Sequence, residues 1–162
     1  MRDLGRLLAA ALCLLGSGAR ADGSRLPPVV GAVELHATDE RSGTALRGFD
    51  PVSFQLPDGP QPGRPEHEVL WSGVAWRFAS GANRAAFERH PEVYAPRVGG
   101  YDAEAAARGL LVAADPRHFA VRGGRLYLFR AAAGRVRFDR DPGLAAAAEA
   151  RWITLKGELV QP

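Results

Sequence analysis

The chain has 162 residues, 46% hydrophobic and 24% charged, with a formal net charge of +3. That length suits one domain with a real core, and the composition excludes a disordered or collagen-like chain. The positive charge reflects twenty arginines against one lysine, and no arginine cluster alternates with aromatics, so a groove that tracks nucleic acid is excluded.

Residues 1–21 open with Arg2 and Arg6, continue through an apolar run from Leu7 to Leu15 and exit through Ala19-Arg20-Ala21. This is the layout of a Sec-type signal peptide, which implies a periplasmic or secreted protein. The apolar run is too short to span a bilayer, so no stable membrane anchor is expected after cleavage. Cleavage after Ala21 leaves a formal +1 and removes Cys13, the only cysteine. Disulfides, thiolate metal sites and cysteine-based redox catalysis are thereby excluded from the mature chain.

Residues 22–43 read as a lead-in: a loose start from Asp22 to Pro28, a strand over Val29–Leu35 and polar turn chemistry from Thr38 to Gly43. In Thr44 to Gln55 (TALRGFDPVSFQ), Pro51 imposes an edge or a bend. Leu56 to Pro65 holds four prolines and is expected to be an exposed loop.

Alternating residues from His67 to Trp71 and from Val74 to Phe78 flank Ser72-Gly73, the pattern of a tight hairpin. Pairing outward from the loop sets Trp71 against Val74, Val69 against Trp76, His67 against Phe78 and Glu68 against Arg77. Ser80 is placed to cap a helix that carries Ala82, Ala86 and Phe87 and stops at Pro91. The chain then turns through Tyr94, Pro96 and Gly99-Gly100.

Asp102 to Arg108 reads as a short helix closed by Gly109. Gly123-Gly124 marks a second hairpin, pairing Val121 with Leu126, Phe119 with Leu128, Ala120 with Tyr127 and His118 with Phe129; both faces are partly apolar, so both are expected to be covered. Ala131–Arg140 alternates like a strand yet begins like a helix. Asp141-Pro142 starts a last helix, with Leu144, Ala148, Trp152 and Leu155 on one stripe and Trp152 expected to lie on the sheet. No internal repeat is read.

The pattern W-x-G-x-x-W-x-F-x-S, then A-A-F, H-P-E-x-Y-A-P and G-G-Y, resembles the YHS domain, most closely its secreted bacterial branch, from about Leu46 to Leu155. The resemblance implies an α+β fold, a small antiparallel sheet built largely of two hairpins and covered by short helices. It places the domain at residues 44–156 with a tail at 157–162, and favours a helix broken near Gly134. It also implies a link to metals, copper among them. The sequence departs at two positions: Ala79 stands where metal-associated members carry a cysteine, and Asp102 where many secreted members carry a cysteine or selenocysteine. In the Gly-Tyr-Asp-Pro-Val segment of the secreted branch, Phe49 replaces the tyrosine.

Asp102 is expected to act as a helix N-cap, a role asparagine fills equally well. Tyr101 flanks a Gly-Gly where backbone can approach a ligand. Tyr94, Gly99, Gly100, Tyr101 and Asp102 are therefore the ligand-binding candidates. The four histidines, His36, His67, His90 and His118, form no local metal motif, so any copper or other divalent metal must be held by separated residues such as His90, Asp102 and His118. No nucleophile elbow, phosphate loop, dinucleotide fingerprint or carboxylate pair is present. The reading is an exported, non-catalytic binding module whose partner is a metal ion or another exported protein. The alternatives are a redox-accessory protein or enzyme using Asp102 as acid or base, and a pure protein-interaction module.

Overall fold

The computed structural model describes residues 35–160. Outside them lie the signal-peptide stretch, Cys13 and nearly all of the strand expected over Val29–Leu35.

Two hairpins built on the same plan, each followed by helices, make up this α+β chain. In the first, β1 (Arg64–Trp71) pairs antiparallel with β2 (Val74–Phe78). Ser72 and Gly73 both take left-handed φ values, 52° and 79°, which suits the right-handed twist of the strands. The face with Val74, Trp76 and Phe78 is buried, and Glu68 binds Arg77 across the outer face at 2.8 Å. Helix α1 (Gly81–Arg89) starts at Ser80, whose hydroxyl accepts from the Asn83 amide. Pro91 ends α1 and begins the short α2 (Pro91–Tyr94).

The second unit repeats these elements. Helix α3 (Ala103–Ala107) precedes β3 (Asp115–Arg122), β4 (Arg125–Phe129), α4 (Ala132–Arg140) and the long α5 (Leu144–Val160). Strands β1 and β3, β2 and β4, and helices α1 and α4 lie 51 positions apart and have equal lengths. Ahead of the hairpins, Leu46, Arg47 and Gly48 have φ of 54°, 52° and 81°, while Val98, Gly99 and Gly100 have 49°, 65° and 79°. The chain is thus a tandem duplication, contrary to the reading of the sequence. Its trace there is Gly48-Phe49-Asp50 against Gly100-Tyr101-Asp102, with Pro65, His67, Phe78, Phe87 and Pro91 matched by Pro116, His118, Phe129, Phe138 and Pro142.

The expected pairings nearest each turn are present, and the outermost fails in both copies. Phe78 lies opposite Arg64 rather than His67, and Phe129 opposite Asp115 rather than His118, because a bulge interrupts each outer strand. Residues 65–67 and 116–118 have no partner in the ladder, and these extra residues shift the pairing beyond them.

Each unit has its own aromatic cluster. Trp76 and Phe78 pack on Phe87 with centroids 5.2 and 5.1 Å apart; Tyr127 and Phe129 pack on Phe138 at 4.9 and 5.1 Å. The outward residues of β4, Leu126 and Leu128, complete the first cluster, so β4 is covered on both faces as expected. The hairpins form two separate two-stranded sheets.

Helix α4 settles the Ala131–Arg140 ambiguity and runs unbroken through Gly134, where a Cβ would stand 3.5 Å from Phe129. Trp152 lies against Tyr101, centroids 6.0 Å apart, and packs on the second cluster, which includes Tyr127 and Phe129 of β4. Helix α5 continues through residues 157–160, expected to be tail. Among the described residues no helix is long and apolar enough to cross a membrane.

Candidate functional site

Asp102 is 6% exposed. Its Oδ1 accepts from the Ala105 amide at 2.7 Å, the expected cap, and its Oδ2 accepts from the Arg130 amide at 2.5 Å. The second bond ties the start of α3 to the exit of β4. Asp50, at 0% exposure, does the same work in the first unit. Its Oδ1 accepts from Val52, and its Oδ2 accepts from the Ala79 amide at the exit of β2 and from Asn83 Nδ2. Both carboxylates are structural buckles filled by amide donors. The two positions where the resemblance would supply sulfur, Ala79 and Asp102, belong to different buckles.

The other candidates from the sequence are scattered. Tyr94 packs against the first core and Tyr101 against Trp152. His90 is exposed beside Glu92 at 3.7 Å. No group of three or more His, Cys, Asp or Glu side chains among the described residues is placed to hold a metal. His90, Asp102 and His118 therefore do not fit a copper or divalent site.

Gly99 and Gly100 do line a cavity, of about 290 Å3, at the seam between the two left-handed corners. Leu46 and Arg47 contribute from the first corner, Trp76 and Leu128 from the hairpins, and His36 and Thr38 from the segment leading into the first unit. That segment is held by the Ala37 amide, which donates to Gly99 O at 2.8 Å. A Cβ on Gly99 would strike Leu35 O and come within 2.8 Å of Trp152, so only glycine permits this approach at φ 65°.

His36 is the unusual group. Its ring lies 5.0 Å from the Trp71 ring and 5.3 Å from Trp76, and its Nδ1 is buried without a hydrogen-bond partner. Burial, helped by the positive charge of Lys156, lowers its pKa to about 4, so the imidazole is neutral at pH 7. No family model, curated protein or solved structure matches the chain. The site must therefore be read from its own chemistry.

The charges around the cavity are balanced and largely engaged. Asp39 accepts from the Arg41 and Ser42 amides and from Ser42 Oγ. Arg47 reaches Asp115 at 3.4 Å, and Asp115, held well below the usual carboxylate range by hydrogen bonds from Arg117, stays ionised. With Glu40 and Arg41 the lining carries two acids and two bases. Such a cavity can hold a small, partly apolar molecule and offers it one uncharged imidazole; nothing in it forms a nucleophile and base pair.

Sequence reasoning found Gly99 and Gly100 but missed His36, Leu46 and Arg47. His36 lies in a polar lead-in with no neighbouring motif. The signal that was available is the repeated Gly-aromatic-Asp, which pairs the two corners and so marks the seam.

Proposed function

We propose that the protein is an exported, non-catalytic binding module of YHS type whose binding site is the cavity at the seam between its two units. The observation that carries this reading is His36, a neutral imidazole with a buried, unpaired nitrogen, at the wall of a cavity lined by both apolar and charged residues. An unsatisfied buried polar group is costly and in native proteins has a reason. Backbone held at left-handed φ by Leu46 and Arg47, which also line the cavity, is the kind of strain that clusters at ligand sites. The YHS assignment rests on the sequence pattern, and export on the layout of residues 1–21.

Against an acid or base role for Asp102 stands the use of both its oxygens by backbone amides. The test is a protein-detected NMR screen of small ring compounds against the purified protein. Compounds that bind should shift the signals of His36 and Trp76; binding that leaves both unmoved would contradict the reading. Mass spectrometry of the native protein should find its N-terminus at Asp22, and an intact Met1 would contradict export.

A further inference from the structure

Residues 35–38 belong to no helix or strand, yet they divide two spaces. His36 lines both the seam cavity and a second groove of about 480 Å3 walled by Trp71 and Trp152. Pro96 and Gly99 also line both, and the Ala37 amide bonds Gly99 O, so this segment and the corner beneath it form the partition. A short stretch outside the sheets and helices can open without the rest of the fold. Closed, it keeps His36 Nδ1 from water and without a partner; opened, that nitrogen meets water, where it can be hydrogen-bonded or protonated. The charges around the two spaces do not favour an imidazolium in the closed state. Asp39, Glu40 and Arg41 follow the segment, Arg47 comes from the first corner, Glu92 from α2, Arg97 from the second corner, and Glu149 and Lys156 from α5. The acids and bases balance, Asp39 and Glu149 are engaged by hydrogen bonds, and Lys156 acts on His36 against its protonation.

We propose that residues 35–38 form an acid-sensitive latch between the two cavities, closed at neutral pH with His36 packed against Trp71 and Trp76 and opened more often in acid, when the ring takes a proton from solvent. Opening removes the partition and joins the cavities, so acid widens access to the seam. The inference rests on the binding reading above for its use, while the latch itself is tested apart from any ligand.

The experiment is hydrogen exchange of the Ala37 amide, followed by NMR in the purified protein at pH 7 and pH 5 and corrected for the intrinsic rate at each pH. A ring pKa of about 4 when closed and 6.5 when open makes the open fraction about twentyfold larger at pH 5 than at pH 7. Protection of Ala37 should fall by that factor. Low concentrations of urea should leave its exchange unchanged while speeding the most protected amides of β2 and β4, because only opening of the whole fold exposes much surface. In His36→Phe the protection of Ala37 should be the same at both pH values; His36→Leu carries the same expectation if the Phe variant does not fold. Equal protection at pH 7 and pH 5 in the native protein would overturn the latch. So would a fall that persists in the variants, or Ala37 exchange that responds to urea as steeply as β2 and β4. None of these outcomes touches the binding reading, which stands or falls on the signals of His36 and Trp76 in the ligand screen.

Discussion

Asparagine at position 102 separates a cap from a buckle. A plain N-cap tolerates it, but both Asp102 oxygens accept amide protons, so the amide nitrogen of asparagine would face a donor. Asp102→Asn should therefore cost about 1 to 3 kcal/mol, and Asp50→Asn a similar amount; chemical denaturation of the two variants checks this, and a silent Asp102→Asn would reduce the residue to a cap. His36 should behave in the opposite way. His36→Phe keeps a ring against Trp71 and Trp76 and removes the unpaired nitrogen, so it should stabilise the fold by about 1 kcal/mol. The same residue gives stability a pH dependence. Its pKa is about 4 when folded against 6.5 as the ordinary value, so its contribution is full above pH 6.5 and falls as pH drops through that value to 4. The loss is on the order of 3 kcal/mol. Denaturation of native and His36→Phe protein at pH 7 and pH 4 should show this loss in the native chain only. The Ser80 cap and the Asp102 cap were legible from local spacing. The second oxygen of Asp102 was not, because its partner, Arg130, is 28 residues away.

Each hairpin shows why alternation reads a strand up to its first irregularity. Val69, Trp71, Val74 and Trp76 are paired as their spacing from Ser72-Gly73 requires, and Ala120, Val121, Leu126 and Tyr127 likewise around Gly123-Gly124. The irregularities before Glu68 and Phe119 do carry a signature, Pro65 and Pro116, since a proline inside a strand marks an edge or a bulge, but it does not say how far the register slips. Helix α4 was ambiguous for a related reason. Val136 is exposed and Phe138 buried, so the apparent alternation with arginines was accidental, and only packing on Phe129 decides for a helix. The two aromatic clusters should respond alike: Phe87→Ala and Phe138→Ala, both fully buried, should each cost about 3 to 5 kcal/mol. Thermal unfolding measures this, and a loss below about 1 kcal/mol in either would show that cluster to be dispensable. Leu70, at 77% exposure on the outer strand, should tolerate lysine within about 0.5 kcal/mol.

At the scale of the molecule, duplication explains why the cavity lies where it does. Two left-handed corners, each tied to its hairpin by a buried aspartate, face one another across a seam, and the segment Leu35–Ala37 closes it through Gly99. The repeat was present in the sequence as Gly-Phe-Asp and Gly-Tyr-Asp, yet few identities survive between the copies, and one unit's core borrows residues from the other. Leu126 and Leu128 complete the first cluster, so a fragment of residues 35–95 should not fold by itself, which far-UV and near-UV circular dichroism would show; a cooperative melt from that fragment would contradict the shared core. The central claim is that the seam holds His36 as a neutral imidazole with one nitrogen sealed from solvent. NMR titration of the His36 ring between pH 3 and pH 8 tests it most directly. The account predicts a midpoint near 4, and a midpoint near the ordinary 6.5 would contradict it, for the ring would then be solvated.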